Sequence, residues 1–131
     1  MKKALFLVVA SIGLAGCVSQ QQVDDVLASQ RPVTTSEKTA IVNAARDVLY
    51  DAYSVRDAEI SNAVPIGNGD LVAVCVKANS KNQMGGYVGR KTLSIRIVKG
   101  KAVSTLENAL ICVSPKMQYR HFPELENLRN L

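Results

Sequence analysis

The spacing of the apolar residues changes once along this chain, and this change limits the possible folds more than any other feature. From residue 34 to residue 53 apolar residues recur at steps of three and four, as in an amphipathic helix. Residues 92–99 instead alternate with the period of two that is typical of β-strands, and residues 71–78 form a run that is apolar on both faces. The sequence therefore predicts an α+β fold: a small antiparallel sheet of three to five strands packed against one long N-terminal helix, with a short C-terminal helix.

The predicted helix has a recognisable start. In Thr34-Thr35-Ser36-Glu37, the Thr34 side chain is placed to accept from the Glu37 amide, while the Glu37 side chain reaches back, which is a capping box. The apolar stripe that follows consists of Ile41, Ala44, Ala45, Val48, Leu49, Ala52 and Tyr53.

The predicted strands after residue 58 differ in how many of their faces are apolar. Residues 71–78 are apolar on both faces and are expected to form a central strand, whereas 59–65 are expected at an edge. Residues 92–99 are expected to turn one face to water and to continue through Lys99-Gly100-Lys101 into a hairpin. Residues 104–113 fit either a short helix from Ser104 or a strand over 109–113, and Pro123 predicts the start of the C-terminal helix.

The N-terminal residues have the layout of an export signal. Two lysines precede an apolar run over residues 4–14, and small residues follow before Cys17. The run is too short to cross a bilayer, which takes roughly 20 apolar residues. Residues Leu14-Ala15-Gly16-Cys17 resemble the lipobox of the type II signal peptide of bacterial lipoproteins. The alternative is a short buried helix that happens to end in Gly-Cys.

The resemblance to lipoproteins implies a processed and acylated chain. Residues 1–16 are then a signal peptide, the Cys17 sulfur carries diacylglycerol, residues 17–35 form a flexible tether, and 36–131 form a single globular domain. A short amphipathic helix within 21–29 would lie on the membrane or dock on the domain. No cofactor is expected, and the membrane is the first expected partner, through two or three acyl chains.

The resemblance also implies a location. Val18 stands where the enterobacterial family places Asp to retain a lipoprotein in the inner membrane. The outer membrane is therefore expected, with the domain facing the periplasm, and the alternatives are the inner membrane and exposure at the cell surface.

The charge of the chain argues against a nucleic-acid partner. Loss of Lys2 and Lys3 with the signal peptide lowers the formal net charge from +5 to about +3. There is no block of five like charges, and aromatic residues make up 5% of the chain.

Cys75 and Cys112 remain once Cys17 is acylated, and in an oxidising compartment two cysteines most simply form a disulfide. The chain-entropy model gives such a crosslink about 4 kcal/mol of stabilisation. The alternative is two buried thiols, and no Cys-x-x-Cys spacing supports a redox-active pair.

Residues 79–91 are the candidate binding loop, because they place amides and cations around glycines between two predicted strands. Glycine amides and basic side chains can bind an anion, and an exposed tyrosine can stack on a sugar or a partner. The alternative is a long hairpin connection whose glycines adopt positive φ. The candidate residues are Asn79, Lys81, Asn82, Gly85, Gly86, Tyr87, Gly89, Arg90 and Lys91.

The same loop carries a second resemblance. The pattern Cys75, Asn79, Lys81-Asn82, Gly85-Gly86-Tyr87 and Gly89 is similar to one in small proteobacterial lipoproteins of uncharacterised function. It implies no activity.

The residues needed for an enzyme are sparse. His121 is the one histidine, no Gly-x-Ser-x-Gly elbow occurs, and the acids Asp57, Glu59 and Asp70 lack metal-ligand spacing. We therefore expect a non-enzymatic binding or scaffold module, without a metal, whose partner is an envelope protein or peptidoglycan.

Two other functions stay open. An inhibitor or immunity-type lipoprotein would insert residues 79–91 into a wall-degrading enzyme or a toxin. A small hydrolase would use a serine or His121.

Overall fold

A computed structural model describes residues 19–130, which form mostly one antiparallel sheet of six strands. The strand order is β5-β4-β3-β1-β6, and β2 also pairs with β3. The strands are β1 (Asp51–Ser61), β2 (Val64–Ile66), β3 (Leu71–Lys81), β4 (Lys91–Val98), β5 (Lys101–Glu107) and β6 (Tyr119–His121). The helices are α1 (Gln20–Leu27), α2 (Thr35–Val48) and α3 (Pro123–Glu126), with 3₁₀ helices at Leu110–Val113 and Asn127–Asn130.

The predicted fold class is wrong. The sheet has six strands rather than three to five, and the first helix, α1, has 8 residues, so the described chain does not begin with one long helix. A second helix, α2, has 14 residues. The additional strands β2 and β6 have 3 residues each, which is too short to show an alternating pattern.

The helical spacing was misleading where the chain enters β1. Helix α2 ends at Val48, and Ala52 and Tyr53 belong to β1 instead. Register shifts on both sides of Arg56 interrupt the pairing of β1 with β3, and Asp57 has a φ of 53°. Because each bulge adds a residue, the buried side chains Ala52, Val55 and Ala58 recur every third residue and imitate a helix.

Other local expectations also change in the structure. The expected edge strand over 59–65 is divided: residues 59–61 belong to β1, which lies between β3 and β6, whereas residues 64–65 belong to β2, which among the described strands pairs with β3 alone. Ser94 in β4 is buried instead of facing water. Residues 104–107 belong to a strand and 110–113 to a 3₁₀ helix, which reverses both interpretations of that segment. The expected central position of residues 71–78 is observed, because β3 pairs with β1 and β4.

The start of α2 follows the capping box closely. The Thr34 hydroxyl accepts from the Glu37 amide, and the Glu37 carboxylate accepts from the Thr34 amide. Arg31 binds the same carboxylate through both terminal nitrogens. The hydrogen bond from Arg31, opposed by burial and assisted by Thr34, lowers the pKa of Glu37 below its ordinary value, so the carboxylate stays charged at neutral pH.

Helix α2 and α3 cover one face of the sheet. Alternate residues of β3 and β4 form the main core with them. Lys38 and Glu124 link the two helices by an ion pair of 2.8 Å. The fully buried members of this core include Ile41, Ala45, Val55, Val74, Val76, Ile95, Phe122 and Leu125.

The opposite face, which we call the outer face, carries a second and smaller core. Its buried residues are Leu27, Val64, Cys75, Cys112 and Met117. The Cys75–Cys112 disulfide joins β3 to the 3₁₀ helix Leu110–Val113, with 5.5 Å between the two Cα atoms.

Helix α1 lies on the outer face, within the residues predicted as a tether. Of the two placements considered for a short helix here, the structure has the one on the domain, where Leu27 is buried. Among residues 19–130, none of the helices combines the length and the apolar character that crossing a membrane requires. The lipobox and Cys17 lie outside the described residues.

Removing the disulfide should loosen the outer face. In a Cys75→Ala/Cys112→Ala variant we expect the free energy of unfolding to fall by about 3–5 kcal/mol, because the crosslink that restricts the unfolded chain is lost. Hydrogen exchange should rise most in residues 110–117. Chemical denaturation and exchange mass spectrometry measure both. A loss below about 1 kcal/mol, or two free thiols in the native protein, would contradict the expectation.

Candidate functional site

The loop between β3 and β4 is ordered by one side chain at its start. The Asn82 Oδ1 atom accepts hydrogen bonds from the Met84 amide at 3.0 Å and the Gly86 amide at 3.2 Å. The Asn82 amide donates to the Gly86 carbonyl, which closes the turn. Gly85 and Gly89 have φ values of 77° and 101°, which other residues adopt rarely. The loop is therefore a defined structure rather than a loose connection.

A tyrosine side chain links this loop to β1 by a hydrogen bond. Tyr87 pairs with Lys81 in an isolated bridge, and its hydroxyl donates to the Ser54 carbonyl at 2.6 Å. The Ser54 hydroxyl accepts from the Lys81 amide at 2.7 Å. These bonds tie the loop to β1 and β3, so the side chains of Asn82 and Tyr87, which were predicted for binding, shape the loop.

A cleft of about 330 Å³ lies between this loop and the junction of α2 with β1. Four exposed apolar side chains line it: Val48, Tyr50, Met84 and Val88. Met84 is 92% exposed and Tyr50 is 68% exposed. Lys81, Lys91 and Glu107 also line the cleft. We call this surface the loop cleft.

Basic side chains also lie over the ring of Tyr87. The Arg56 Cζ atom lies 3.7 Å from the centre of the Tyr87 ring, and Lys81 Nζ lies 5.8 Å from it. Such cation–π contacts order the side chains without removing their charge. Arg90 forms an ion pair with Glu59 of β1, so the loop contacts β1 a second time.

The next pair along β3 continues this surface towards the disulfide. Lys77 Nζ lies 3.8 Å above the Tyr119 ring, and the Tyr119 hydroxyl donates to the Cys112 carbonyl. Burial, with a smaller contribution from the charge of Glu59, raises the pKa of Tyr119 to about 12, so it remains a hydrogen-bond donor.

Asn79 is the unusual member of the candidate set. It is 7% exposed, it lies opposite Arg56 in the β1–β3 register, and its Oδ1 atom has no hydrogen-bond partner within residues 19–130. A buried acceptor without a partner costs about 1–3 kcal/mol. Burial keeps this atom from the loop cleft, and we assign it no role there.

The structure brings part of the predicted site together. Asn82, Gly85 and Gly86 form the turn, and Lys81 and Lys91 border the loop cleft. Lys91 also lies 3.9 Å from Glu107. The Cys75–Cys112 disulfide is on the outer face and does not line the loop cleft, and Cys17 lies outside the described residues.

The apolar residues of the loop cleft were missed. Val48 was assigned to a buried helix stripe, and Tyr50 lies in the turn that replaces the predicted continuation of the helix. Met84 and Val88 are not among the predicted site residues, because the amides, glycines and cations around them indicate an anion or sugar site. A methionine and a valine among glycines and amides are a signal that could have indicated the contact surface.

His121, the histidine considered for catalysis, is in a structural contact. His121 Nε2 lies 3.0 Å from both carboxylate oxygens of Glu126, and Glu126 Oε1 also accepts from the Ala58 amide. Within residues 19–130, there is no group of three His, Cys, Asp or Glu residues arranged to hold a metal ion.

Comparisons of this chain with protein-family models, with curated proteins and with solved structures find no match.

Replacing Asn82 should test how the loop is held. In Asn82→Ala the amides of Met84 and Gly86 lose their acceptor, so we expect them to exchange about five- to tenfold faster, while global stability falls by about 1 kcal/mol. Exchange mass spectrometry and thermal unfolding measure these effects.

Asn68→Ala is the matched control for this loop variant. Asn68 Oδ1 accepts from the Asp70 amide in the turn between β2 and β3. It should loosen residues 67–70 and leave residues 83–88 unchanged. Equal protection of the loop in the Asn82→Ala variant and the unchanged protein would contradict this view of the turn.

Proposed function

We propose that this protein is a lipid-anchored lipoprotein of the bacterial envelope that binds an envelope protein through the loop cleft and catalyses no reaction. The anchor is proposed from the lipobox at residues 14–17. The binding function is proposed mainly from one observation: exposed apolar side chains line a cleft beside a loop that is ordered by hydrogen bonds. Exposed apolar clusters of this kind mark sites of protein contact.

The composition of the loop cleft supports a protein as the partner. Tyrosine and methionine are enriched in protein interfaces, and a tyrosine loses little conformational entropy on binding. Tyr50 and Met84 are the two most exposed apolar side chains that line the cleft. Lys81 and Lys91 at its edge favour an approaching surface with acidic residues.

The order of the loop also supports binding. A partner does not have to restrict a mobile segment when Asn82 and Tyr87 already hold it. Binding to such a surface costs less conformational entropy than ordering a flexible loop. The non-enzymatic part of the proposal is supported by His121, which contacts Glu126 instead of a nucleophile.

An inhibitor or immunity-type lipoprotein is the second candidate. The observation that favours it is Met84, which projects from the tip of the fastened loop and is 92% exposed. A rigid projecting loop can enter the substrate cleft of a wall-degrading enzyme or of a toxin. This candidate differs from the first in its consequence, because the partner would lose catalytic activity on binding.

The anchor has a direct test. In protein from its natural host, mass spectrometry of the N-terminal peptide should find Cys17 as the first residue, carrying acyl groups. A Cys17→Ser variant should carry no acyl groups and should keep residues 1–16, because serine provides no sulfur for the diacylglycerol and cleavage follows that step. Density-gradient fractionation should place the unchanged protein in the outer membrane. An intact leader on protein from the host would contradict the proposal.

The binding surface can be tested by photocrosslinking in living cells. A photoreactive residue at position 84 should crosslink to one envelope protein, whereas the same residue at position 68, exposed at the opposite end of β3, should not. A Tyr50→Ala/Val88→Ala background should reduce the product about tenfold or more, since interface energy is concentrated in a few apolar residues.

Three results separate the candidates. A crosslinked enzyme whose turnover falls when the lipoprotein binds favours the inhibitor. Equal products from positions 84 and 68 would contradict the loop cleft as a binding surface. Retention of the lipoprotein on purified peptidoglycan, independent of Tyr50 and Val88, would replace the protein partner with the wall.

A further inference from the structure

We infer that the start of α1 and the 3₁₀ helix Leu110–Val113 form a surface that contacts the lipid bilayer, with Leu110 and Val113 entering its interface. This inference rests on the proposed anchor at Cys17 and goes beyond it, because an anchor alone leaves the orientation of the domain free. It assigns one side of the domain to the membrane.

The first step concerns how α1 is held. Leu27 at the end of α1 is 3% exposed in the smaller core. Asp24 forms an ion pair of 2.7 Å with Lys116, and Gln30 exchanges hydrogen bonds with the Lys116 carbonyl and the Gln118 amide. A capping box between Ser19 and Gln22 orders the first turn. Val23 and Val26 also pack against the smaller core, so α1 has a fixed place on the outer face.

The second step concerns the distance to the anchor. Cys17 precedes Ser19 by two residues, and two extended residues reach at most about 7 Å. Acyl chains on Cys17 must therefore enter the bilayer close to the first turn of α1. The domain is held near the lipid surface, instead of at the end of a flexible tether of about 18 residues, which would span about 24 Å.

The third step concerns what lies beside that turn. Gln20 and Val23 of α1 share a cleft of about 300 Å³ with Leu110 and Val113. Leu110 is 83% exposed and Val113 is 63% exposed, although neighbouring Cys112 is fully buried. Exposure of these two apolar side chains to water is unfavourable. Their insertion into the interface of the bilayer next to the anchor would be favourable, because it removes apolar surface from water.

Leu106 is a third exposed apolar side chain on the outer face. It lies opposite Ser94 in the β4–β5 pairing, and Ser94 lies opposite Cys75, so all three are on the outer face. Leu106 is 54% exposed. Three apolar side chains would bind a membrane weakly on their own. After acylation the contact becomes intramolecular, and a weak contact then suffices to set the orientation.

This orientation agrees with the proposed binding surface. The loop cleft is bounded by the end of α2, which packs on the face of the sheet opposite to the outer face. With Leu110 and Val113 on the lipid, the α2 side of the loop cleft is turned away from the membrane, where a periplasmic partner can reach it.

The test uses the absence of tryptophan from this chain, so that one introduced tryptophan supplies the signal. Acylated Leu110→Trp protein is reconstituted in phosphatidylethanolamine–phosphatidylglycerol vesicles, with and without bromine on the acyl chains. We expect the emission to shift to the blue and brominated lipid to quench it about twofold or more. Val103→Trp is the matched control, because Val103 is 58% exposed and lies beside α2 residues. Its emission should stay that of a tryptophan in water.

Each outcome decides between the two proposals. If the protein floats with the vesicles and position 110 is quenched no more than position 103, the inference is wrong and the anchor stands. If mass spectrometry and flotation find no acylated protein, the proposed anchor fails first. A blue shift that grows with protein concentration and is not accompanied by bromine quenching would indicate that a second copy of the chain covers this surface. That result would overturn the inference. Unfolding curves of both variants verify that each is folded.

Discussion

Strand β3 is apolar on both faces, and the other elements of the fold pack against both faces and exclude water from them. Val74 and Val76 point to one side, where α2 and α3 close the main core. Cys75 points to the other, where a six-stranded sheet with few helices has little to cover it. The 3₁₀ helix Leu110–Val113 supplies this cover and is held there by the disulfide. Burying apolar surface on both faces is what allows so small a domain to be stable.

The two cores do not extend to the C-terminal end of β3. The two surfaces with proposed functions lie at the borders of these cores. At the C-terminal end of β3 the chain leaves both cores. There the loop is held by hydrogen bonds of Asn82 and Tyr87 instead of by apolar packing. On the outer face, Leu110 and Val113 are exposed because Cys112 between them must turn inward. Apolar residues therefore remain in water for structural reasons, and both proposals give those residues a partner.

Local signals in the sequence were reliable when neighbouring residues alone determined them. The capping box at Thr34 and the hairpin at Gly100 are present in the structure because each depends on short-range hydrogen bonds and backbone preferences. The apolar run over residues 71–78 lies in the central strand β3, as its pattern indicated. The bulges beside Arg56 could not be seen, because they exist only through pairing with β3. They changed the spacing of buried residues in β1 and made a strand resemble a helix.

By itself the sequence determined which segments are apolar on one face or on both, where α2 begins and which residues make the loop turn. It also indicated Cys75 and Cys112 as the pair to be joined, and they are bonded in the structure. Only the tertiary structure decided that Met84 and Val88 meet Val48 and Tyr50 around a cleft. Such contacts join residues far apart in the chain, and no local pattern encodes them, because they follow from how the sheet brings its ends together.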